Sequence, residues 1–324
     1  MIQFVKEVLQ NGGQIKPLLV DPQETKGTGL FNPTIYNDNG KLIGNIRHCQ
    51  YTIYHAEKCK YEHEYGPLVY LNPENDITLT TKNYYCEFDD NLNTTYVKKV
   101  NTSKLDVKPI WEFVGLEDVR IAKWNDKLFY CGVRRDTTTN GVGRMELSEI
   151  EMQHNEPIEV TRQRMPAPGA DNSYCEKNWM PIVDMPYHFV KWSNPTEVVK
   201  YDPETKKTET VFIGSYVQKP YDYRGGSQVI RWKDYYVCLS HTVSLYQSET
   251  GRKDADYWHS FIVWDKNWNV IKYTDLFNFM GAKIEFGCGM CEYKGDIVIT
   301  FGFQDNAAYI LKVPGDYFER FLNV

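Results

Sequence analysis

The feature that most constrains the fold is a pattern that occurs five times along the chain. Each copy has a polar or glycine-rich strand, a short turn, and a strongly apolar strand that ends on a polar residue. The turn of the first copy contains Asn39-Gly40, a strong signal for a tight β-hairpin. Units of this kind are typical of propeller blades. The five copies span residues 29–48, 115–135, 176–193, 224–241 and 286–305.

We therefore predict an all-β chain that forms a single-domain, five-bladed β-propeller. Residues 1–27 form an N-terminal lead-in that packs on the propeller and contains a short helix within Ile2–Gln10. Residues 28–324 form the propeller, with a long insertion at about 57–108, and helix is confined to the lead-in and this insertion. The alternative fold is a β-sandwich or two stacked β-domains.

Charge and cysteine usage exclude several classes of protein. The chain has 37 Lys and Arg against 43 Asp and Glu, with no long run of either sign, which argues against a dedicated nucleic-acid or membrane surface. No apolar run approaches the length of a membrane span. Among the eight cysteines only Cys288 and Cys291 have C-x-x-C spacing, without a second pair or histidines, so we expect no metal and no cofactor. We expect a reduced, cytoplasmic protein.

Residues 115–121 place three charged side chains in an otherwise apolar strand. Because neighbours in a strand point to opposite faces, Asp118 and Arg120 should share one face and pair, whereas Glu117 should face away. Buried charges are costly unless they are paired. This stretch is therefore either a structural ion pair or the polar lining of a site.

Polar residues recur at the same position of each copy, which predicts a single site. The first strand of a blade lines the central channel, so these interruptions should converge on one funnel. A concave site with clustered ionisable groups is the default candidate for an active site. The first strands carry Asn32, Asp118, Lys177, Asn178 and Gln228, and the second strands end in Arg47, Arg134, Arg135, Ser193, His241 and Asp305.

Four motifs in this order resemble the five-bladed propellers of glycoside hydrolase family 130. They are Phe31-Asn32-Pro33 followed by Arg47, Gly115–Arg120, Gly225-Gly226 followed by His241, and Gly302–Asp305. The second is similar to the family's G-x-E-D-P-R, with Val119 in place of the proline. The family holds mannoside phosphorylases and related hydrolases, and it has relatives among protist mannosyltransferases that use the same fold.

The resemblance implies roles for individual residues. Asp118 matches the catalytic aspartate, a general acid that acts through a hydroxyl of the bound sugar, and Asn32, Arg47 and Asp305 match positions that hold the sugar ring. We also assign Glu117, Arg120, Lys177 and His241 to substrate binding. The phosphate-binding candidates are Arg134, Arg135, Arg144 and Lys177, although residues 134–144 and 176–180 depart from the phosphorylase pattern.

Three functions remain open from the sequence. The excess of cations favours an enzyme that transfers a glycosyl group with inversion and has a phosphate-bearing donor or acceptor, namely a nucleotide sugar, a sugar phosphate or phosphate, besides a glycan or another hydroxyl acceptor. Because residues 134–144 and 176–180 depart from the phosphorylase pattern, we favour a glycosyltransferase. The alternatives are a glycoside phosphorylase or an inverting glycosidase, which would need Glu117, Asp136 or Glu176 as a base. The last is an inactive carbohydrate-binding propeller that uses Trp179, Trp192 and Trp258. A pI of about 5.7 gives a nucleic-acid acceptor no support, and no membrane partner is expected.

Overall fold

The computed structural model describes residues 2–25, 29–49, 79–171, 174–247 and 253–324. Five sheets, one for each copy of the sequence pattern, form a five-bladed β-propeller. The N-terminal lead-in holds β1 (Ile2–Gln3), α1 (Phe4–Gln10), β2 (Gln14–Leu18) and α2 (Pro22–Thr25).

The first two blades follow directly in the sequence. Blade 1 consists of β3 (Leu30–Asp38), β4 (Lys41–Cys49), β5 (Leu79–Phe88) and β6 (Thr94–Lys99), and β7 (Phe113–Val114) pairs with β5. Blade 2 consists of β8 (Glu117–Trp124), β9 (Lys127–Arg134), β10 (Arg144–Gln153) and β11 (Glu156–Arg164). Neighbouring strands of each four-stranded run are antiparallel.

The remaining three blades have the same order from channel to rim. Blade 3 consists of β12 (Met180–Pro181), β13 (His188–Ser193), β14 (Thr196–Asp202) and β15 (Lys207–Ile213). Blade 4 contains β16 (Arg224–Gly225), β17 (Ile230–Trp232), β18 (Tyr235–Gln247), β19 (Lys253–Trp264), β20 (Val270–Tyr273) and β21 (Phe277–Asn278). Blade 5 contains β22 (Glu285–Tyr293), β23 (Asp296–Phe303) and β24 (Ala307–Val313), and α3 (Gly315–Leu322) follows.

The N-terminal segment completes the last two blades. Strand β2 is the outermost strand of blade 5, where it pairs antiparallel with β24 from Gln14 opposite Lys312 to Leu18 opposite Ala308. Strand β1 pairs parallel with β21 at the rim of blade 4. Phe4 of α1 lies in the apolar cluster that also contains Phe318 of α3. Sheet pairing therefore joins the two ends of the described chain.

Apolar side chains from facing sheets fill the spaces between blades. Between blades 1 and 2, for example, Ile43 and Tyr85 pack with Val119, Ile121 and Tyr130. The alternation along each strand places such residues on both faces, because each blade is sandwiched between two others. Burial of these faces removes much apolar surface from water, the main favourable term in folding.

A single glutamine connects the inner strands of the propeller. The Gln228 amide nitrogen donates to the carbonyl oxygens of Ile35 in β3 (2.8 Å) and Ile121 in β8 (3.0 Å). Its Oε1 accepts from the backbone amide of Met290 in β22 (3.1 Å). The sequence predicts Gln228 as a polar residue of the channel, but the side chain is fully buried and joins blades 1, 2 and 5. It therefore serves the fold and is unavailable to a ligand.

The strand pairs predicted in all five copies are confirmed as the first two strands of the five blades. The Asn39-Gly40 turn has positive φ at both residues (51° and 91°), as the predicted tight hairpin requires. Two expectations need correction. Residues 79–99 of the expected insertion form the third and fourth strands of blade 1, whereas residues 57–78 lie outside the described residues. Helix also occurs at the C-terminal end, as α3.

None of the described helices is long and apolar enough to cross a membrane. All of the described cysteines except Cys175 are buried. Burial raises the pKa of Cys131 and Cys288 to about 12, so both thiols stay protonated. These residues fill space in the core, as small apolar side chains do.

We predict that Gln228→Met lowers the free energy of unfolding by about 3 kcal/mol or more, because it leaves two carbonyl oxygens and one amide of the inner strands without a partner. Chemical denaturation measures this loss. Gln10→Met, at the exposed end of α1, is the matched control and should change the value by less than about 0.5 kcal/mol. Equal stability of the two variants would contradict the structural role of Gln228.

Candidate active site

Bulges interrupt three of the inner strands at the same end of the channel. The pairing register shifts between Phe31 and Thr34 in β3 and between Glu117 and Arg120 in β8. A third shift lies between Gly287 and Gly289 in β22. A bulge adds an unpaired residue and re-aims its side chain, and bulges are common beside active sites. The bulges place Asn32 and Asp118 at a position that regular strands would not give them.

Four polar residues at this end adopt the left-handed backbone conformation. The φ angles are 45° for Asn32, 49° for Asp118, 59° for Asn178 and 49° for Asp305. Among residues with a side chain, Asn and Asp tolerate this region best, and strained residues of this kind cluster at functional sites. The backbone thus selects the same short polar residue types that the sequence analysis assigned to the site.

The Asp118 carboxylate is held by residues of blade 1. Its Oδ1 accepts hydrogen bonds from Asn32 Nδ2 (2.8 Å) and from an Arg47 terminal nitrogen (2.6 Å). Arg47 also donates to Thr81 Oγ1, at 3.2 Å from Nε and 3.1 Å from Nη2, and its guanidinium lies 4.9 Å from the centroid of the Phe31 ring. All of these side chains except Asp118 come from blade 1, so the clamp joins blades 1 and 2.

Glu117 lies near Arg47, the arginine that also binds Asp118. Its Oε2 is 3.7 Å from Arg47 Nη2, and its Oε1 is 3.6 Å from Arg135 Nε. The prediction that Glu117 faces away from Asp118 is wrong, because the bulge after Glu117 breaks the strict alternation of a strand. Both carboxylates therefore border Arg47, and Arg135 reaches the site through Glu117.

Arg120 anchors the backbone of the site. It donates to the carbonyl oxygens of Asp118 (2.6 Å) and Gly226 (2.7 Å), and to Asn178 Oδ1 (3.3 Å). The predicted pair between the Asp118 carboxylate and Arg120 is thus a bond to the Asp118 carbonyl, because the carboxylate turns toward Arg47. Arg120 is almost fully buried and connects blades 2, 3 and 4. It positions β8, the strand that carries Asp118, and supplies positive charge near the Asp118 carboxylate.

The two aspartates of the site have opposite protonation preferences. Although burial opposes ionisation of Asp118, the charges of Arg47, Lys177 and Arg120 and the Asn32 bond hold its pKa well below the usual range. Burial and the neighbouring Asp118 carboxylate raise the pKa of Asp305 to about 6, against Arg47 and Lys177, which lower it. The site therefore contains one firmly ionised carboxylate and one carboxyl group that holds a proton in mildly acidic solution.

His241 lies beside these charges as a neutral ring. It stacks on Tyr257 (5.7 Å between centroids) and meets the Phe286 ring edge to face (4.8 Å). Burial lowers its pKa well below the usual value, and the charges of His259, Arg120, Arg224 and Lys177 lower it further. A neutral imidazole can donate and accept one hydrogen bond each, as a sugar hydroxyl requires.

Lys177 supplies an exposed positive charge to the same place. Its field lowers the pKa values of Asp118, Asp305 and His241. Within residues 2–25, 29–49, 79–171, 174–247 and 253–324, its ammonium group makes no salt bridge. It is therefore available to an anion that enters the mouth of the channel.

Two predicted phosphate-binding residues are engaged elsewhere. Arg134 is buried between blades 1 and 2, where Nε donates to Glu146 Oε2 (2.7 Å) and Nη1 to Asp136 Oδ2 (3.3 Å). Arg144 donates to the Tyr174 carbonyl oxygen (2.6 Å). Side-chain direction explains the correction for Arg134: it follows Val133, whose side chain packs between blades 2 and 3, so Arg134 points to the opposite face of the sheet.

Two candidate bases are also engaged in the fold. Glu176 is fully buried and accepts from the backbone amides of Met145 (3.1 Å) and Ala167 (3.0 Å). Asp136 accepts from the Gly115 amide (3.0 Å). Of the three carboxylates considered as a base, only Glu117 borders Asp118.

The sequence analysis missed Thr81, which supports Arg47. Thr81 lies within the stretch that was expected to be an insertion, so the repeating pattern did not include it and could not assign it to the site. The one available signal was the enrichment of residues 79–88 in Thr, Tyr and Phe, residue types that are typical of strands. In the described part of the chain, no cluster of three or more His, Cys, Asp or Glu side chains has the geometry to hold a metal ion.

The fold is similar to that of solved carbohydrate-active enzymes. A β-1,2-mannobiose phosphorylase from Listeria innocua, in complex with β-1,2-mannobiose, matches with a TM-score of 0.57 at 15% identity, over 95% of this chain and 96% of that one. A mannose phosphorylase from Leishmania mexicana, in complex with a phosphate ion, matches with a TM-score of 0.51 at 10% identity, over 96% and 92%.

A third similar structure is described under the GH130 family of mannoside phosphorylases, as containing glycoside hydrolases that target β-1,2-mannosidic linkages in Candida mannan. It has a TM-score of 0.55 at 15% identity, over 89% of this chain and 85% of that one. No protein-family model matches the sequence, and no curated protein matches it. The resemblance to glycoside hydrolase family 130 propellers is therefore confirmed at the level of the fold.

The opposite pKa shifts predict opposite effects of pH on stability. The raised pKa of Asp305 gives stability that is fully present below about pH 4, the unfolded value, and is lost as the pH rises through about 6. The lowered pKa of Asp118 gives stability that is present above about pH 4 and is lost as the pH falls. Denaturation of the wild type, Asp305→Asn and Asp118→Asn between pH 3 and 8, at roughly half-unit steps, measures both differences. If the stability difference from the wild type changed with pH in the same direction for both variants, the opposite pKa shifts assigned to Asp118 and Asp305 would be wrong.

Proposed function

We propose that the protein is a glycoside phosphorylase that cleaves a β-mannoside with inorganic phosphate. The observation that carries this proposal is the Asp118 carboxylate, which is clamped by Asn32 and Arg47 near the exposed ammonium of Lys177, for which the described residues provide no salt-bridge partner. This arrangement supplies a fixed group for the sugar and a separate charge for an anion. The mannobiose and phosphate complexes of the structural neighbours support the choice of substrates.

Asp118 enters the reaction as a carboxylate that accepts a hydrogen bond from a sugar hydroxyl. Cleavage also needs a proton at the bridging oxygen. The cations around Asp118 keep it ionised in the free enzyme, and a phosphate anion beside Lys177 would offset their field. Anion binding therefore raises the proton affinity of Asp118 when both substrates are present, so that Asp118 takes up a proton from solvent. The sugar hydroxyl then passes its own proton to the bridging oxygen, and Asp118 gives its proton to that hydroxyl oxygen.

The phosphate takes the position of the nucleophile on the opposite face of the sugar. Lys177 acts as a point charge. The partly buried guanidinium of Arg135, whose Nη1 donates to the Gly141 carbonyl oxygen, can contribute a hydrogen bond from Nη2 to a phosphate oxygen. Direct displacement from that face inverts the anomeric carbon. The sugar 1-phosphate leaves with the transferred glycosyl group, and the rest of the glycan leaves as the free alcohol.

A glycosidase of the same stereochemistry is the second candidate. It would require a carboxylate base to activate water, and Glu117 is the one at hand, although Arg47 and Arg135 both hold it. The hydrolases among the structural neighbours favour this candidate. The transferase predicted from the sequence has less support, because the neighbours described above are phosphorylases and hydrolases, and none is described with a nucleotide sugar.

Asp118→Asn should reduce kcat on β-1,2-mannobiose with phosphate by about 10²–10⁴-fold, the usual effect of a lost general acid, while the fold is retained. Release of mannose 1-phosphate measures the reaction, and thermal unfolding tests the fold. Mannose release without phosphate would instead assign the protein to the glycosidases. Turnover only with a nucleotide sugar would restore the transferase, and full activity of Asp118→Asn would contradict the role of Asp118.

Lys177→Ala should raise the KM for phosphate by about tenfold or more, because a lost charge contact of about 1.4 kcal/mol corresponds to that factor. The KM for the mannoside should change much less. Lys207→Ala, at the exposed start of the outer strand β15, is the matched control and should leave both constants unchanged. An unaltered KM for phosphate in Lys177→Ala would remove Lys177 from the phosphate site.

A further inference from the structure

A cavity of about 900 Å³ lies between blades 1 and 2, away from the charged cluster of the channel mouth. Strands β5 and β6 form one wall, and β9, β10 and β11 form the other. Its volume is within the range of small-molecule sites, and it is large enough for a short saccharide. None of Asn32, Arg47, Asp118, Lys177, His241 and Asp305 lines it.

The lining suits an uncharged, hydroxyl-rich molecule. Its charged side chains number five of each sign, so the cavity as a whole does not select an anion or a cation. Amide and hydroxyl side chains, including Asn83, Asn101, Ser103 and Ser148, lie among them. Apolar residues such as Val107 and Leu116 complete the lining. Saccharides present this mixture, with hydroxyls at the edges and C–H groups on the faces of the ring.

An ion-pair network forms the blade 2 side of the cavity. Glu159 Oε1 accepts from Ser148 Oγ (2.6 Å) and from Arg162 Nε (3.0 Å), and it lies 3.9 Å from Arg134 Nη2. Arg162 also reaches Asp106 Oδ1 at 3.3 Å. These groups are pre-organised by one another, so they can receive a ligand at little cost in side-chain entropy.

Two buried groups of the lining have no hydrogen-bond partner within the described residues. They are Asp136 Oδ1 and the Tyr130 hydroxyl, on side chains that are 7% and 1% exposed. An unsatisfied buried polar atom is costly, and native structures usually provide a partner or a ligand for it. Asp136 Oδ1 needs a donor, and the Tyr130 hydroxyl can accept or donate. A hydroxyl group has the donor and the acceptor that these two atoms lack.

Three residues of the lining connect the cavity to β8, the strand that carries Asp118. The other oxygen of Asp136 accepts from the amide of Gly115, three residues before Asp118. Gly115 has φ of +98° and approaches Thr81 so closely that a Cβ would lie 2.4 Å from the Thr81 carbonyl oxygen. Thr81 in turn holds Arg47. A molecule in the cavity would therefore contact the groups that position Asp118 and Arg47.

We propose that the cavity between blades 1 and 2 is a second saccharide-binding site, separate from the channel mouth. The class of ligand follows from the lining, and the choice of a β-mannoside as the probe rests on the proposed function. A glycan bound there would stabilise the positions of Gly115 and Thr81, and with them the clamp on Asp118. The proposed enzyme would thus hold one saccharide for reaction at the channel mouth and another in the cavity between blades 1 and 2.

The test is calorimetric titration of Asp118→Asn with β-1,2-mannobiose in the absence of phosphate, which prevents turnover. The expected stoichiometry is two saccharides per chain. Thr137→Trp, added to this background, places a large side chain at an exposed residue of the lining and should reduce the stoichiometry to one. Thr139→Trp, exposed in the same loop but outside the lining, is the matched control and should retain two.

The outcomes separate this inference from the proposed function. A single site that Thr137→Trp abolishes would support the cavity and count against sugar binding at the channel mouth. A single site that Thr137→Trp leaves intact would overturn the second site. A crystal structure grown with the disaccharide should contain it between the blades, and ordered water alone in that cavity would also overturn the proposal.

Discussion

The ion pair between Arg47 and Asp118 is the interaction on which the arrangement of the site depends. Its two members come from neighbouring blades, and both are almost fully buried. A buried pair gains net stability only when further hydrogen bonds satisfy both partners, and removal of one partner leaves an uncompensated charge. Here Thr81 and the Phe31 ring hold the arginine, and Asn32 completes the carboxylate. The pair is therefore a joint between blades as well as a candidate for catalysis.

The backbone around this pair is strained, and the rest of the propeller compensates for the strain. Left-handed residues and bulges cost free energy and persist where the surroundings determine them. Arg120 binds the carbonyl oxygen of Asp118, and Gly302 allows Asn32 to approach, since a Cβ at Gly302 would lie 2.5 Å from Asn32 Oδ1. Gln228 fixes the neighbouring inner strands from inside the channel. The polar groups of the channel thus divide into those that hold the strands and those that face the mouth.

Hydrophobic alternation and turn residues were sufficient to predict the five blades, because each hairpin is determined by local sequence. The same patterns also allowed the prediction that Asn32, Asp118, Lys177 and Asp305 lie at one end of the channel, because each blade repeats the same geometry. Alternation failed at the bulges, where the faces of Glu117 and Arg120 depend on an extra residue that no local pattern indicates. Arg134 was assigned to the site for a different reason: alternation places it on the face opposite Val133, where it pairs with Asp136, Glu146 and Glu159, and the repeat pattern alone does not show these partners.

The pairing of β2 with β24 has a consequence for how the chain reaches its native state. Gln14 and Lys312 are partners in one sheet, although nearly the whole sequence separates them. During synthesis, β2 must remain without its partner from the time it emerges until the last blade has been made. Contacts of such large sequence separation slow folding, since the loop must close before the pairing stabilises it. A ribosome-bound chain that lacks β24 would expose the edge of β2, and an unpaired strand edge of this kind can pair with another copy of the chain.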